Sequence, residues 1–169
     1  SLDESQTDPV ERAAYVCCYE PAGNRTFSGR VLLTSGELVD WQHLEGRQAR
    51  IVPDEFVMAC EIAREHPGFL AALKLRGIED ASRVLIESWS PGNFGNPEEQ
   101  EKRIAYGHCW LMNDAGDNPY ARPISNLHPV FDLGARSIIR IDDFGVIEVP
   151  PDPGPIRRPQ QRDGLKEIA

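Results

Sequence analysis

Apolar positions in the first fifty residues fall into three short runs separated by turn-forming residues. AAYVCCYE (13–20) is rich in β-branched and aromatic side chains and reads as a strand; PAGN turns the chain into RTFSGRVLL (25–33). TSGE turns it again into LVDWQHL (38–44). Strict alternation there places Leu38, Asp40 and Gln42 on one side and Val39, Trp41 and His43 on the other. The product is a short antiparallel meander, and a ribbon this small needs a partner to bury a face.

At Pro53 the period changes. Pro53, Asp54 and Glu55 suit the first turn of a helix and its positive end, and Phe56, Cys60 and Ala63 recur at i, i+4 and i+7 as an apolar stripe. Pro67 interrupts, and GFLAALKLRG makes a second short helix, closed by Gly77 after the basic Lys74 and Arg76. Four strand candidates follow, at 82–89, 102–112, 127–133 and 135–144, the last two joined by a tight turn at Gly134. In the second of these, Ile104, Tyr106, His108, Trp110 and Met112 share one face, and the smaller Ala105, Gly107, Cys109 and Leu111 the other. Small residues let a helix backbone approach, so the helices are expected over the smaller face. Two short helices packed on one side of a four-stranded antiparallel sheet, behind a β-meander, make an α+β chain. Its expected parts are a meander over 1–51, helices and sheet over 52–148, and a linker over 149–169, where five prolines precede Gln160.

Composition adds mainly exclusions. Hydrophobic residues at 40%, charged residues at 27% and a mean hydropathy of -0.43 are ordinary for a soluble globular protein, and no apolar run approaches the roughly 20 residues of a membrane span. Acids outnumber bases 27 to 18, and the one basic cluster, IRRPQQR, sits among prolines, which argues against nucleic acid as a partner. The cysteines, Cys17, Cys18, Cys60 and Cys109, have no metal-type spacing and read as small buried hydrophobes rather than a disulfide framework. His43, His66, His108 and His128 form neither His-x-His nor HExxH, and His66 falls at a helix end, where a cation is favoured. Asp142 and Asp143 diverge as strand neighbours; Asp114 and Asp117, in NDAGDN, lack the terminal glutamate of a calcium loop and read as a turn. There is no GxSxG and no phosphate-binding glycine fingerprint, and SPGNFGNP reads as a loop. These residues make no self-sufficient catalytic or metal site.

Taken in order, DEFVMACEIAREHPGFLAALKLRGIED, RVLIESWSPGNFG, DNPYARPISNLHPVFDL and IIRIDDFGVIEVPPDPG resemble the third N-terminal domain of copper amine oxidases, a cystatin-like fold. The meander is similar to the last strands of the preceding, second N-terminal domain, and RDGLKEIA to the linker into the catalytic β-sandwich. The resemblance implies a homodimeric parent that oxidises primary amines with copper and a tyrosine-derived topaquinone. It also implies a catalytic domain of the same chain as this region's partner. The quinone precursor of the family lies in Asn-Tyr-Asp/Glu and its copper on three histidines, two as His-x-His; neither motif occurs here, so no cofactor is expected in this stretch. What the resemblance carries over is substrate access: Phe56 at the helix start, Trp89 at the end of a strand and Tyr120 in DNPYARP match positions that line the entrance channel to the quinone. Plain core packing is the alternative for Phe56 and Trp89. Tyr120 stands between prolines that restrict its backbone, and Arg122 replaces a histidine common in the family. Two other readings of the whole chain are an independent cystatin-like binding module and an enzyme with a dispersed site. The compartment is not legible.

Overall fold

The three apolar runs before residue 50 pair as an antiparallel sheet in the order β1–β2–β3, with β1 at Ala13–Glu20, β2 at Arg25–Leu32 and β3 at Leu38–His43. The structure is a computed structural model, described for residues 10–92, 94–113 and 118–152. It divides into two compact units, Ser1–Arg50 and Ile51–Ala169.

In the first unit, Asn24 takes a left-handed φ of 48° to close the β1–β2 turn, a conformation asparagine tolerates well. The alternation expected along β3 does not hold. Ser28 pairs with Gln42 but Arg30 with Val39, so β3 carries one extra residue, and Asp40 absorbs it at a φ of 55°. Val39 therefore falls on the face opposite to His43. Trp41 and His43 do share a side, where Trp41 stacks on Phe27 at 5.5 Å and His43 meets the same ring at 5.2 Å. Cys17 and Cys18 are both exposed, against the expectation of buried thiols. Their strand lies at the edge of a three-stranded sheet, and the described residues of this unit supply no second layer to cover it.

In the second unit, α1 (Pro53–Glu65) and α2 (Pro67–Lys74) precede β4 (Val84–Trp89), β5 (Ile104–Leu111), β6 (Leu127–Asp132) and β7 (Ser137–Asp143), paired antiparallel in that order. Both helices pack on one face of this sheet. As expected, that face of β5 is Ala105, Gly107, Cys109 and Leu111, all buried. The space above Gly107 is filled differently from expectation. A methyl group there would meet Pro129 Cγ at 2.7 Å, Phe131 Cε2 at 3.0 Å and Ile86 Cγ2 at 3.1 Å, so side chains of neighbouring strands, not helix backbone, occupy it. Phe69, Leu73, Val84, Ile86, Leu127 and Phe131 form the centre of the core.

The buried stripe of α1 is also shifted from the expected one. Ala59 and Ala63 are fully buried, because only methyl-sized groups fit where the helix lies closest, whereas Phe56 and Cys60 are half-buried toward β4. From that side α1 closes the free edge of the sheet. Cys60 Sγ donates to Ile86 O at 3.1 Å, and Arg64 Nη2 donates to Val84 O at 2.9 Å. The match is geometric: four residues of helix rise about 6 Å and two residues of strand about 6.6 Å. His66 joins the two helices. Its Nδ1 accepts from Phe69 N at 3.3 Å, so it caps the start of α2 as an acceptor rather than the end of α1 as a cation. An unprotonated ring nitrogen satisfies an orphan N–H there.

Two ion pairs tie helices to sheet. Arg103, 2% exposed, forks onto Glu55 of α1, with Nη2 2.7 Å from Oε2. Arg76 forks onto Asp143 at 3.0 and 2.7 Å and also donates to the carbonyls of Ala72, Asn126 and Gly145. Asp142 instead meets Arg140 at 2.9 Å, so the two neighbouring acids diverge as expected.

Candidate functional site

Along β4 the odd positions Leu85, Glu87 and Trp89 point away from the helices, whereas Val84, Ile86 and Ser88 are buried beneath them. Because β4 is an edge strand, its outward side chains meet the flank of α1. Between them lies an open cleft of about 460 Å³, lined by Phe56, Val57 and Cys60 of α1 and by Leu85, Ile86, Glu87 and Trp89. Phe56 and Trp89, 33 positions apart in the sequence, thus share one cleft. Trp89 is 55% exposed and belongs to no closed core.

Tyr120 reaches this cleft indirectly. Its loop is pinned to the end of β5, where Leu111 N donates to Arg122 O and Ile124 N to Cys109 O, both at 2.9 Å. Asn118 Oδ1 accepts from Tyr120 N, fixing the turn that presents the ring. That ring stands edge-on to Trp110 at 5.3 Å, and its hydroxyl donates to Glu87 Oε1. The bond to the carboxylate, and the nearby negative charge, raise the phenol above its ordinary pKa. The other oxygen, Glu87 Oε2, accepts from Trp89 Nε1 at 3.2 Å. Arg122 takes a structural part, donating to Asn113 Oδ1 at 2.7 Å and to Pro150 O at 2.9 Å. Asp114 and Asp117 lie outside the described residues, as do the basic cluster and the end of the linker.

Glu87 is the residue that sequence reasoning missed. A signal was present: it is the one charged position of a six-residue strand, two places from the tryptophan already singled out.

Glu87 also begins a row across the helix-free face. It pairs with His108, whose ring lies 5.2 Å from that of His128, and His128 pairs with Asp142. His108 packs against Trp89 at 4.8 Å and Trp110 at 6.2 Å. Burial, and then the neighbouring His128, hold its pKa below the usual histidine value, against the pull of Glu87. His128 Nδ1 donates to Gly107 O at 3.2 Å. Beyond this row, Glu99 Oε1 accepts from Tyr106 Oη, Arg140 Nη2 and Asn96 Nδ2 at 2.7, 2.7 and 3.0 Å. Burial raises the Glu99 pKa, but these bonds outweigh it and hold the carboxyl below its ordinary value.

Residues 54–156 match the family model of the copper amine oxidase N3 domain. The chain belongs to the copper amine oxidase family. Among its curated relatives is a primary amine oxidase of Arthrobacter sp. (strain P1), 34% identical over 142 residues, a match covering 83% of this chain and 22% of the relative. A primary amine oxidase of Klebsiella aerogenes is 32% identical over 136 residues, covering 79% and 18%. The chain thus spans about a fifth of the length of these amine oxidases. The copper-containing benzylamine oxidase from Hansenula polymorpha shares its fold with a TM-score of 0.60 at 18% identity, over 97% of this chain and 27% of that one.

Copper is implied by the family, and the described residues do not fit it. His108 and His128 stand together, but no group of three or more histidine, cysteine, aspartate or glutamate side chains converges among them. Asn118-Pro119-Tyr120 is not the quinone motif either, and Tyr120 is committed to Glu87. Among the described residues there is therefore no donor set for copper.

Proposed function

We propose that the chain is a non-catalytic N-terminal portion of a copper and topaquinone primary-amine oxidase. The parent reaction is oxidative deamination of primary amines to aldehyde, ammonia and hydrogen peroxide. The region over 52–148 packs on the catalytic domain of the same chain in a homodimeric parent, and its part in the reaction is to shape substrate access. One observation carries this reading: Phe56 and Trp89 wall a single open, largely apolar cleft, and Tyr120 is held against its rim. An aromatic wall binds the hydrocarbon part of an amine through buried area, with roughly 25 cal/mol for each Å² removed from water.

Sequencing the coding region beyond Ala169 tests the parentage. An Asn-Tyr-Asp/Glu motif followed by His-x-His is the expected result, and a stop codon close behind would overturn it. In the full-length oxidase, Phe56→Ala and Trp89→Ala test access. Each is expected to lower kcat/KM for benzylamine by about ten-fold, the equivalent of burying part of one aromatic ring, while leaving methylamine within about two-fold. Equal effects on both amines would remove the access role.

A further inference from the structure

We infer that Glu87 is the cation-recognising residue of the cleft, which takes a primary ammonium whose hydrocarbon body lies against the apolar wall. This rests on the access reading above and goes further, by naming the residue that selects for charge. The lining of the cleft is otherwise aliphatic, aromatic or thiol: Phe56, Val57, Cys60, Leu85, Ile86 and Trp89. One carboxylate set in such a wall is an electrostatic feature with no apolar purpose, since a half-buried anion without a counter-charge is costly. Among the described residues Glu87 takes part in no ion pair.

Its own surroundings orient it without neutralising it. Tyr120 Oη and Trp89 Nε1 each donate to one oxygen, which leaves about half of the four or so acceptor positions of a carboxylate open. Across the strand, His108 is the titratable group facing it, and burial, then the neighbouring His128, lower its pKa, which disfavours a competing cation there. A ligand ammonium can therefore use the open positions while its body lies against Phe56 and the Trp89 ring. Both aromatics add cation–π attraction, and the charge-assisted contact with Glu87 supplies direction. A neutral molecule of the same shape gains only the apolar part.

The test uses this 169-residue chain at pH 7, followed by 1H–15N spectra with the Trp89 indole N–H as reporter, because that proton sits between the ring and Glu87. Benzylammonium chloride and benzyl alcohol are titrated separately into the native chain and into Glu87→Gln. Benzylammonium is expected to bind about five-fold tighter than benzyl alcohol to the native chain and equally to Glu87→Gln. Raising the salt should narrow the gap in the native chain, a readout that needs no variant. Equal binding of the two probes to the native chain, or an unchanged preference in Glu87→Gln, overturns the role of Glu87 and leaves the cleft standing. If neither probe moves the reporter, the access reading falls and Glu87 falls with it.

Discussion

Two residues show how strongly local surroundings separate chemically identical groups. Cys109 is buried in the core, and burial, then the nearby Cys60, push its thiol far above the ordinary value, which removes the reactive thiolate. Cys17 and Cys18 are exposed. A thiol reagent at pH 8 is therefore expected to modify Cys17 and Cys18 at once and Cys109 only in denaturant, as peptide mapping after timed quenching would reveal. Arg76 is the corresponding case among cations. Its side chain is fully covered and serves one carboxylate and three carbonyls, so Arg76→Ala strands all four acceptors. The expected loss is about 3 kcal/mol in denaturant unfolding. A loss below about 1 kcal/mol would mean that water replaces the guanidinium. Tyr120 was singled out through the family resemblance, with prolines on either side restricting its backbone, and the structure holds its hydroxyl on Glu87. Glu87 was passed over although it is the one charge in its strand, since nothing in that strand says which loop will reach over to it.

At the scale of elements, periodicity located both helices and every strand to within about two residues, because apolar spacing reports directly on burial. What it missed were details decided between elements. Asp40 breaks the alternation of β3 through a backbone angle that aspartate adopts without any mark in the sequence. The stripe of α1 moved to Ala59 and Ala63 because the distance between helix and sheet, not hydrophobicity, selects the residues that go deepest. Gly107 was recognised as a close approach, but not what approaches. Gly107→Ala is expected to destabilise the chain by about 1–3 kcal/mol, since Pro129, Phe131 and Ile86 already fill the site. Urea unfolding measures this, and an unchanged midpoint would show that those side chains can give way.

For the whole molecule, acid is the sharpest lever. His108 has its pKa lowered by folding, so the unfolded chain takes up more protons and stability declines as pH falls below about 6.5. Three carboxyls act in the same direction at lower pH. Burial opposes ionisation of Glu55 and Glu99, but their hydrogen bonds to Arg103, and to Tyr106 and Arg140, prevail; the fork from Arg76 lowers Asp143. Each contributes stability that is complete above its ordinary value, near 4.5 or 3.8, and lost as pH falls through its folded value. Thermal melts from pH 8 to pH 3 are expected to show a shallow decline beginning near 6.5 and a steep one below about 4.5; a flat profile would remove these groups from the balance. Family membership was legible from the order of several short blocks, none of which is decisive alone. The cleft was not, because it forms where a helix flank meets a sheet edge, with Phe56 and Trp89 33 positions apart in sequence.

That meeting has a consequence for behaviour in concentrated solution. The outward carbonyls of β4 would otherwise offer a ready template on which a second molecule could lay a strand, and then a third. Arg64 and Cys60 occupy two of those acceptors from the side. The flank of α1 therefore doubles as a guard against fibrous association: removing Arg64 and Cys60 together would leave the fold its core but expose the sheet to runaway self-pairing.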